Sequence, residues 1–168
     1  GYGTKMCGIA GLVNYDQSIE QVTSALEGMR DTLRHRGHDA QGIWVSSHGK
    51  LGFAHTRLAI LDLSEAGAQP MECLDTGSVL VYNGEIYNYV ELRRYLESLG
   101  ITGWRGTSDT EVLLALLVRE GVSGLRRVDG MFAFGFFDAR RNTLTLGRDH
   151  LGEKPLYYAR HNGQLVGF

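Results

Sequence analysis

The chain reads as an α+β fold, with helices in separate blocks and strands paired mainly as hairpins into antiparallel sheets. Three observations predict this. Apolar residues recur at three and four in a few segments, short β-branched and aromatic runs lie between them, and the two kinds of segment do not alternate regularly as βαβ units would. The first helix is read from Ile19, Val22, Leu26, Met29 and Leu33, one apolar stripe expected to end near Gly37. A second is predicted from Asn88, taken as its cap with Glu91 three residues on, to Leu99, with Gly100 as terminator. A third opens at Ser108, with Glu111 in capping-box register, and turns Val112, Leu113, Leu116 and Leu117 inward.

Strands are expected over Ile9 to Val13, Ile43 to Ser46, Leu51 to His55, Val79 to Tyr82, Phe132 to Phe137, Leu144 to Leu146 and Leu156 to Ala159, with a further one over Gln164 to Phe168. Phe132, Phe134, Phe136 and Phe137 are read as core strand rather than as a stacking platform. Pro70 and Pro155 fall in loops, and no repeat or linker divides the chain.

At 168 residues and 43% hydrophobic, the sequence is long enough for one domain with a real core. Seventeen basic residues against nineteen acidic give a net charge of -2, without the basic footprint that nucleic acid requires. Pairs such as Arg93-Arg94 and Arg140-Arg141 read as solvated faces. No apolar stretch reaches the roughly 20 residues that span a bilayer, and no signal core is present, so a cytoplasmic location is expected. Cys7 and Cys73 are then expected as thiols, with Cys73 incidental. No Cys/His pair has zinc-ligand spacing, so no metal is expected.

The chemistry begins at Met6-Cys7-Gly8-Ile9-Ala10-Gly11. Methionine removal would leave Cys7 at the N-terminus, provided that Gly1-Tyr2-Gly3-Thr4-Lys5, read as a leader or expression scar, is also absent. An N-terminal cysteine brings its own base, because an α-amine titrates near pKa ~8 and a thiol near ~8.5, as N-terminal threonine nucleophiles also do. The same short motif also suits a small buried residue of a first strand. Asn83-Gly84 is similarly two-sided. It is the strongest short-range signal for a hairpin turn, and it is also a pair of donors for an oxyanion.

Farther segments join these: His35-Arg36-Gly37, His55-Thr56-Arg57-Leu58-Ala59-Ile60-Leu61-Asp62, Asn83-Gly84-Glu85-Ile86-Tyr87-Asn88, Thr107-Ser108-Asp109-Thr110-Glu111, Gly67-Ala68-Gln69-Pro70, Gly130-Met131-Phe132-Ala133-Phe134, and Arg148-Asp149-His150-Leu151-Gly152 followed by Lys154-Pro155-Leu156-Tyr157-Tyr158. Taken in chain order, from Met6 nearly to the end, they resemble the glutaminase domain of the asparagine synthetase family, a class II, N-terminal nucleophile glutamine amidotransferase.

The resemblance implies a four-layer αββα sandwich over residues 6–168, cut short within a sheet at its C-terminus. It implies that Cys7 attacks the side-chain amide of glutamine and forms a glutamyl thioester, which water cleaves to glutamate while ammonia leaves. Asn83 and the Gly84 N–H would hold the oxyanion. Gly84 would be needed because a Cβ obstructs the approach to substrate. Arg57 would take the substrate carboxylate, and Glu85 and Asp109 its α-ammonium. The backbone around Leu58, Ile60 and Leu61 would line the pocket. His35, His38, His55 and His150 are expected to be structural.

His38 replaces the proline usual in the family's Arg-Gly-Pro-Asp turn, which loosens that loop. No cofactor is implied for this domain. ATP and magnesium would belong to a C-terminal synthetase domain, the implied partner, whose pyrophosphate loop this chain lacks. The resemblance also admits a homodimer. With residues 1–6 attached, little turnover is expected. Two alternatives remain: a non-catalytic module of the same fold, which the presence of Cys7 disfavours, and another class II amidotransferase, which Arg57 to Asp62 and Asn83 to Tyr89 disfavour.

Overall fold

The computed structural model describes residues 7–13, 16–34, 40–57 and 67–168. In chain order its elements are β1 (Gly8–Val13), α1 (Ile19–Thr32), β2 (Ala40–Val45), β3 (Leu51–Arg57), β4 (Met71–Glu72), β5 (Val79–Ile86), α2 (Tyr89–Ser98), α3 (Asp109–Glu120), a 3-10 helix (Gly121–Arg127), β6 (Gly130–Asp138), β7 (Thr143–Arg148), β8 (Ala159–His161) and β9 (Gln164–Gly167). The strands form two antiparallel sheets, ordered β2-β3-β1-β9-β8 and β4-β5-β6-β7.

Strand alternation divides the apolar residues into three interfaces. Ala10 and Ala54 meet Val22 and Leu26 of α1. The opposite face of the same sheet turns Leu51 and Phe53 toward Val79 and Val81 of β5. The far face of the second sheet packs Leu80, Tyr82, Phe132, Phe134 and Phe136 against Leu92 and Leu96 of α2 and Leu113, Leu116 and Leu117 of α3. The outcome is helix, sheet, sheet, helices, as expected. Between the sheets the Phe168 ring fills space that no side chain could share: a Cβ at Gly11 would lie 2.1 Å from it, and one at Gly135 2.6 Å.

Several local expectations are corrected. The first helix ends at Thr32, before Gly37, with Leu33 as its C-cap. Thr56 of β3 donates to the Leu33 carbonyl, tying the helix end to the sheet. Its N-terminus carries a full capping box, Ser18 with Gln21. Asn88 holds the N-cap position of α2, but its side chain makes no cap hydrogen bond. Its side chain instead donates to the Arg127 carbonyl and accepts from Asp129 N–H, joining α2 to the 3-10 helix. Ser108 does cap α3, accepting from Glu111 N–H, but the Glu111 carboxylate turns away to the N–H groups of Arg105 and Gly106.

The strand expected over Leu156 to Ala159 begins only at Ala159. Pro155 supplies no N–H, and Tyr157 and Tyr158 stand exposed. Asn83-Gly84 is not a turn. β5 runs through it to Ile86, with Asn83 opposite Ala133 and Gly84 opposite Phe132.

Candidate active site

Three strands deliver the predicted residues to one end of the sandwich. Ile9 and Val13 face the second sheet. Cys7, two residues before Ile9, therefore shares their face, just ahead of β1. Asn83 has the parity of Val79 and Val81 and so faces back toward the first sheet. Both line a cavity of about 420 Å³, walled further by Met29 and Leu33 of α1 and by Pro155, Leu156 and Tyr157. Gly8 lies opposite Thr56 in the β1–β3 ladder, so one more residue of register puts Cys7 beside Arg57. The Arg57 guanidinium reaches over Gly67, where a Cβ would stand 3.2 Å from its nitrogen.

The β5 edge shows what Asn83 and Gly84 can do. Phe132, opposite Gly84, spends its N–H and carbonyl on Asp149 at the β7 side. The Gly84 N–H therefore points away from β6, along the same edge as its neighbours of equal parity. Tyr82 N–H donates there to the Gln69 side chain and Ile86 N–H to Asp109 Oδ2, at 2.7 and 3.1 Å. Between them the Gly84 N–H finds no acceptor among the described residues. Nor does the Asn83 amide, though Asn83 is only 4% exposed. The Asn83 amide thus opens onto the cavity beside the thiol, with the Gly84 N–H next to it along the strand edge. Gly84 is required by its neighbouring strand. At φ +156° a Cβ would sit 2.1 Å from the Met131 carbonyl oxygen, so that strand forbids a side chain.

Asp109 opens α3 and accepts from the Tyr82 hydroxyl at 2.8 Å as well as from Ile86 N–H. Gln69, besides taking Tyr82 N–H, donates to Thr110 at 3.4 Å. Glu85 lies exposed on β5. Burial holds the Tyr82 phenol well above its ordinary pKa, and the charges of Asp109, Glu85 and Cys7 push it further the same way, which places all three in one electrostatic neighbourhood.

His55 donates from Nε2 to the Tyr82 carbonyl at 3.3 Å, a polar tie between the sheets. Burial lowers its pKa to about 4, against the opposing pull of that carbonyl and with help from Arg57, so the ring is neutral near pH 7. His150 is exposed, and Leu58, Ile60, Leu61, His35 and His38 lie outside the described residues. Sequence reading missed Tyr82 and Gln69. Tyr82 showed only a strand residue's pattern, because its partner is 27 positions away. No cluster of three His, Cys, Asp or Glu suited to a metal occurs among the described residues, and no helix there is long and apolar enough to cross a membrane.

The sequence pattern of a known family, described as a glutamine amidotransferase domain, matches residues 6–168. The chain belongs to that family. Its relatives include asparagine synthetase [glutamine-hydrolyzing] 3 of Bacillus subtilis, 39% identical over 96% of this chain and 26% of that protein. Asparagine synthetase B [glutamine-hydrolyzing] of Escherichia coli is 42% identical over 95% of this chain and 28% of that protein. The amidotransferase domain thus spans about a quarter of the length of these two relatives. A solved glutamine phosphoribosylpyrophosphate amidotransferase from B. subtilis superposes with a TM-score of 0.74 at 22% identity, over 95% of this chain and 41% of that one, and shares the fold.

Proposed function

We propose that this domain hydrolyses glutamine to glutamate and ammonia through a Cys7 glutamyl thioester. The observation that carries the reading is the Asn83 amide on the cavity that Cys7 lines, with the unengaged Gly84 N–H next to it along the β5 edge. With Cys7 first in the chain, its α-amine takes the thiol proton as sulfur attacks the amide carbon, then delivers a proton to departing ammonia. The amide oxygen, negative in the tetrahedral intermediate, is received by Asn83 and Gly84. Water then cleaves the thioester through a second such intermediate. Arg57 holds the substrate carboxylate by paired hydrogen bonds, while Asp109 and Glu85 hold its ammonium. By the family pattern, the backbone around Leu58, Ile60 and Leu61 lines the glutamine pocket.

Because the relatives named for asparagine synthesis extend well beyond the matched domain, the ammonia is consumed by an amidating domain C-terminal to this one. ATP and magnesium act there and not on the glutaminase side. A cytoplasmic location, which keeps thiols reduced, suits a reactive cysteine. The test is glutamate release from glutamine by protein whose first residue is Cys7. Turnover is expected there, and it should fall by about 10³-fold or more in Cys7→Ala and be near background when residues 1–6 precede the cysteine. Equal glutamate release by Cys7→Ala and the unsubstituted protein would end the proposal.

A further inference from the structure

Tyr82 joins Asp109, on the proposed ammonium side of the site, to the buried core. Its side chain is 3% exposed and packs with Leu80, Phe134 and the α3 leucines, yet its hydroxyl leaves that core to meet Asp109. A buried phenol needs some partner, and the identity of this one is informative. Asp109 is half-buried, and no salt bridge to it forms among the described residues. Its two carboxylate oxygens are unequally used: Oδ2 accepts from both the Tyr82 hydroxyl and Ile86 N–H, whereas Oδ1 accepts from nothing described. Two donors on one oxygen fix the plane of the carboxyl group and leave the other oxygen for a cation.

We propose that Tyr82 is a positioning residue for glutamine recognition: by loading Asp109 Oδ2 together with Ile86 N–H, it turns Oδ1 toward the substrate α-ammonium. The assignment deepens the glutaminase reading and rests on it. It makes the α-amino group a requirement of this site rather than a passive feature of the substrate. Gln69 completes the support, holding Tyr82 by its backbone N–H while it reaches Thr110, the residue after Asp109. The phenol remains protonated through the working pH range, so it stays a donor.

The experiment compares two substrates in the form of the protein that begins at Cys7: glutamine, and glutaramate, the same amide without its α-amino group. Tyr82→Phe should raise KM for glutamine about tenfold, as expected for losing a hydrogen bond to a charged group, while kcat changes less than about twofold. Its kcat/KM for glutaramate should equal that of the unsubstituted protein, an indifference that a general loss of packing would not produce. In Asp109→Asn the further change Tyr82→Phe should cost nothing more, because one acts through the other.

Equal losses on both amides, or fully additive losses in the double variant, would overturn the assignment while glutamine hydrolysis stands. An unsubstituted protein that leaves glutamine intact would overturn the enzymatic reading and this assignment together. Should Tyr82→Phe fail to fold by near-ultraviolet circular dichroism, Asp109→Glu takes its place. It keeps the charge but moves the carboxyl off Tyr82, and the same KM-only, glutamine-only effect is expected, with an effect on both substrates counting against the assignment.

Discussion

Among the described residues, α1 is the helix that covers the sheet beside Cys7, and the core beneath it holds four buried residues, two of them alanines. The sheet that carries Asn83, Gly84 and Glu85 is backed by α2 and α3, over a core of fourteen buried described residues that includes three phenylalanines and five residues of α3. The thiol proposed as nucleophile thus stands at the lightly packed side, and the groups proposed to receive charge stand on the dense one. Oxyanion donors work only if they are already in place when charge develops, so a rigid base suits them. A thiol that must advance on a carbon and later release it has less need of one.

Removing a donor from the dense side tests this division most sharply. Asn83→Ala should lower kcat by about 10² to 10³, with KM for glutamine little changed. Cys7 should still be alkylated by iodoacetamide at the unsubstituted rate, since nothing on its own sheet has moved. If alkylation slows in parallel with turnover, the two sides are not separable.

Packing gives the next contrast. Leu116 and Leu26 are both fully buried, one in each core. Leu116→Ala should destabilise toward the upper end of the about 2–5 kcal/mol seen for such truncations, and Leu26→Ala toward the lower end. A helix lying alone on a sheet can settle into the space it loses, whereas α3 is pinned by its neighbours. Urea denaturation of the two variants would measure the gap, and equal midpoints would refute it.

The smallest effect concerns the tie between the sheets. His55 has its pKa lowered from 6.5 to about 4, so the unfolded chain binds the proton more readily in that interval. Its contribution to stability is complete above about pH 6.5 and is lost progressively as pH falls toward about 4. In His55→Gln that part of the pH dependence should flatten, which denaturation midpoints at pH 7, 5.5 and 4.5 would reveal. An unchanged slope would mean that His55 does not join the sheets in this way.

Much of this architecture was legible because its signals are local. The α1 stripe, the Ser108 cap and the phenylalanine strand need no knowledge of distant residues. Where expectation failed, a distant partner had intervened. Asn88 carries every local feature of a cap, yet Arg127 and Asp129 claim its side chain. Asn83-Gly84 has the local form of a turn, a reading the family pattern outweighs, and an unbroken ladder with β6 holds it extended. Cys7 and Asn83 were each named from sequence, but their common cavity follows from the pleat of two strands that share no hydrogen bonds. Tyr82 gave no signal at all, since only the folded chain puts Asp109 within its reach.

The crowding at Gly84 also bears on how such a scaffold diversifies. A site where the adjoining strand's carbonyl excludes even a methyl group cannot be tuned by substitution, so neither drift nor a mutant library can add a side chain there. New specificities have to enter through residues that can vary in size, such as those of the apolar wall at Met29, Leu33 and Leu156. Chemistry would then be inherited intact while the choice of molecule drifts.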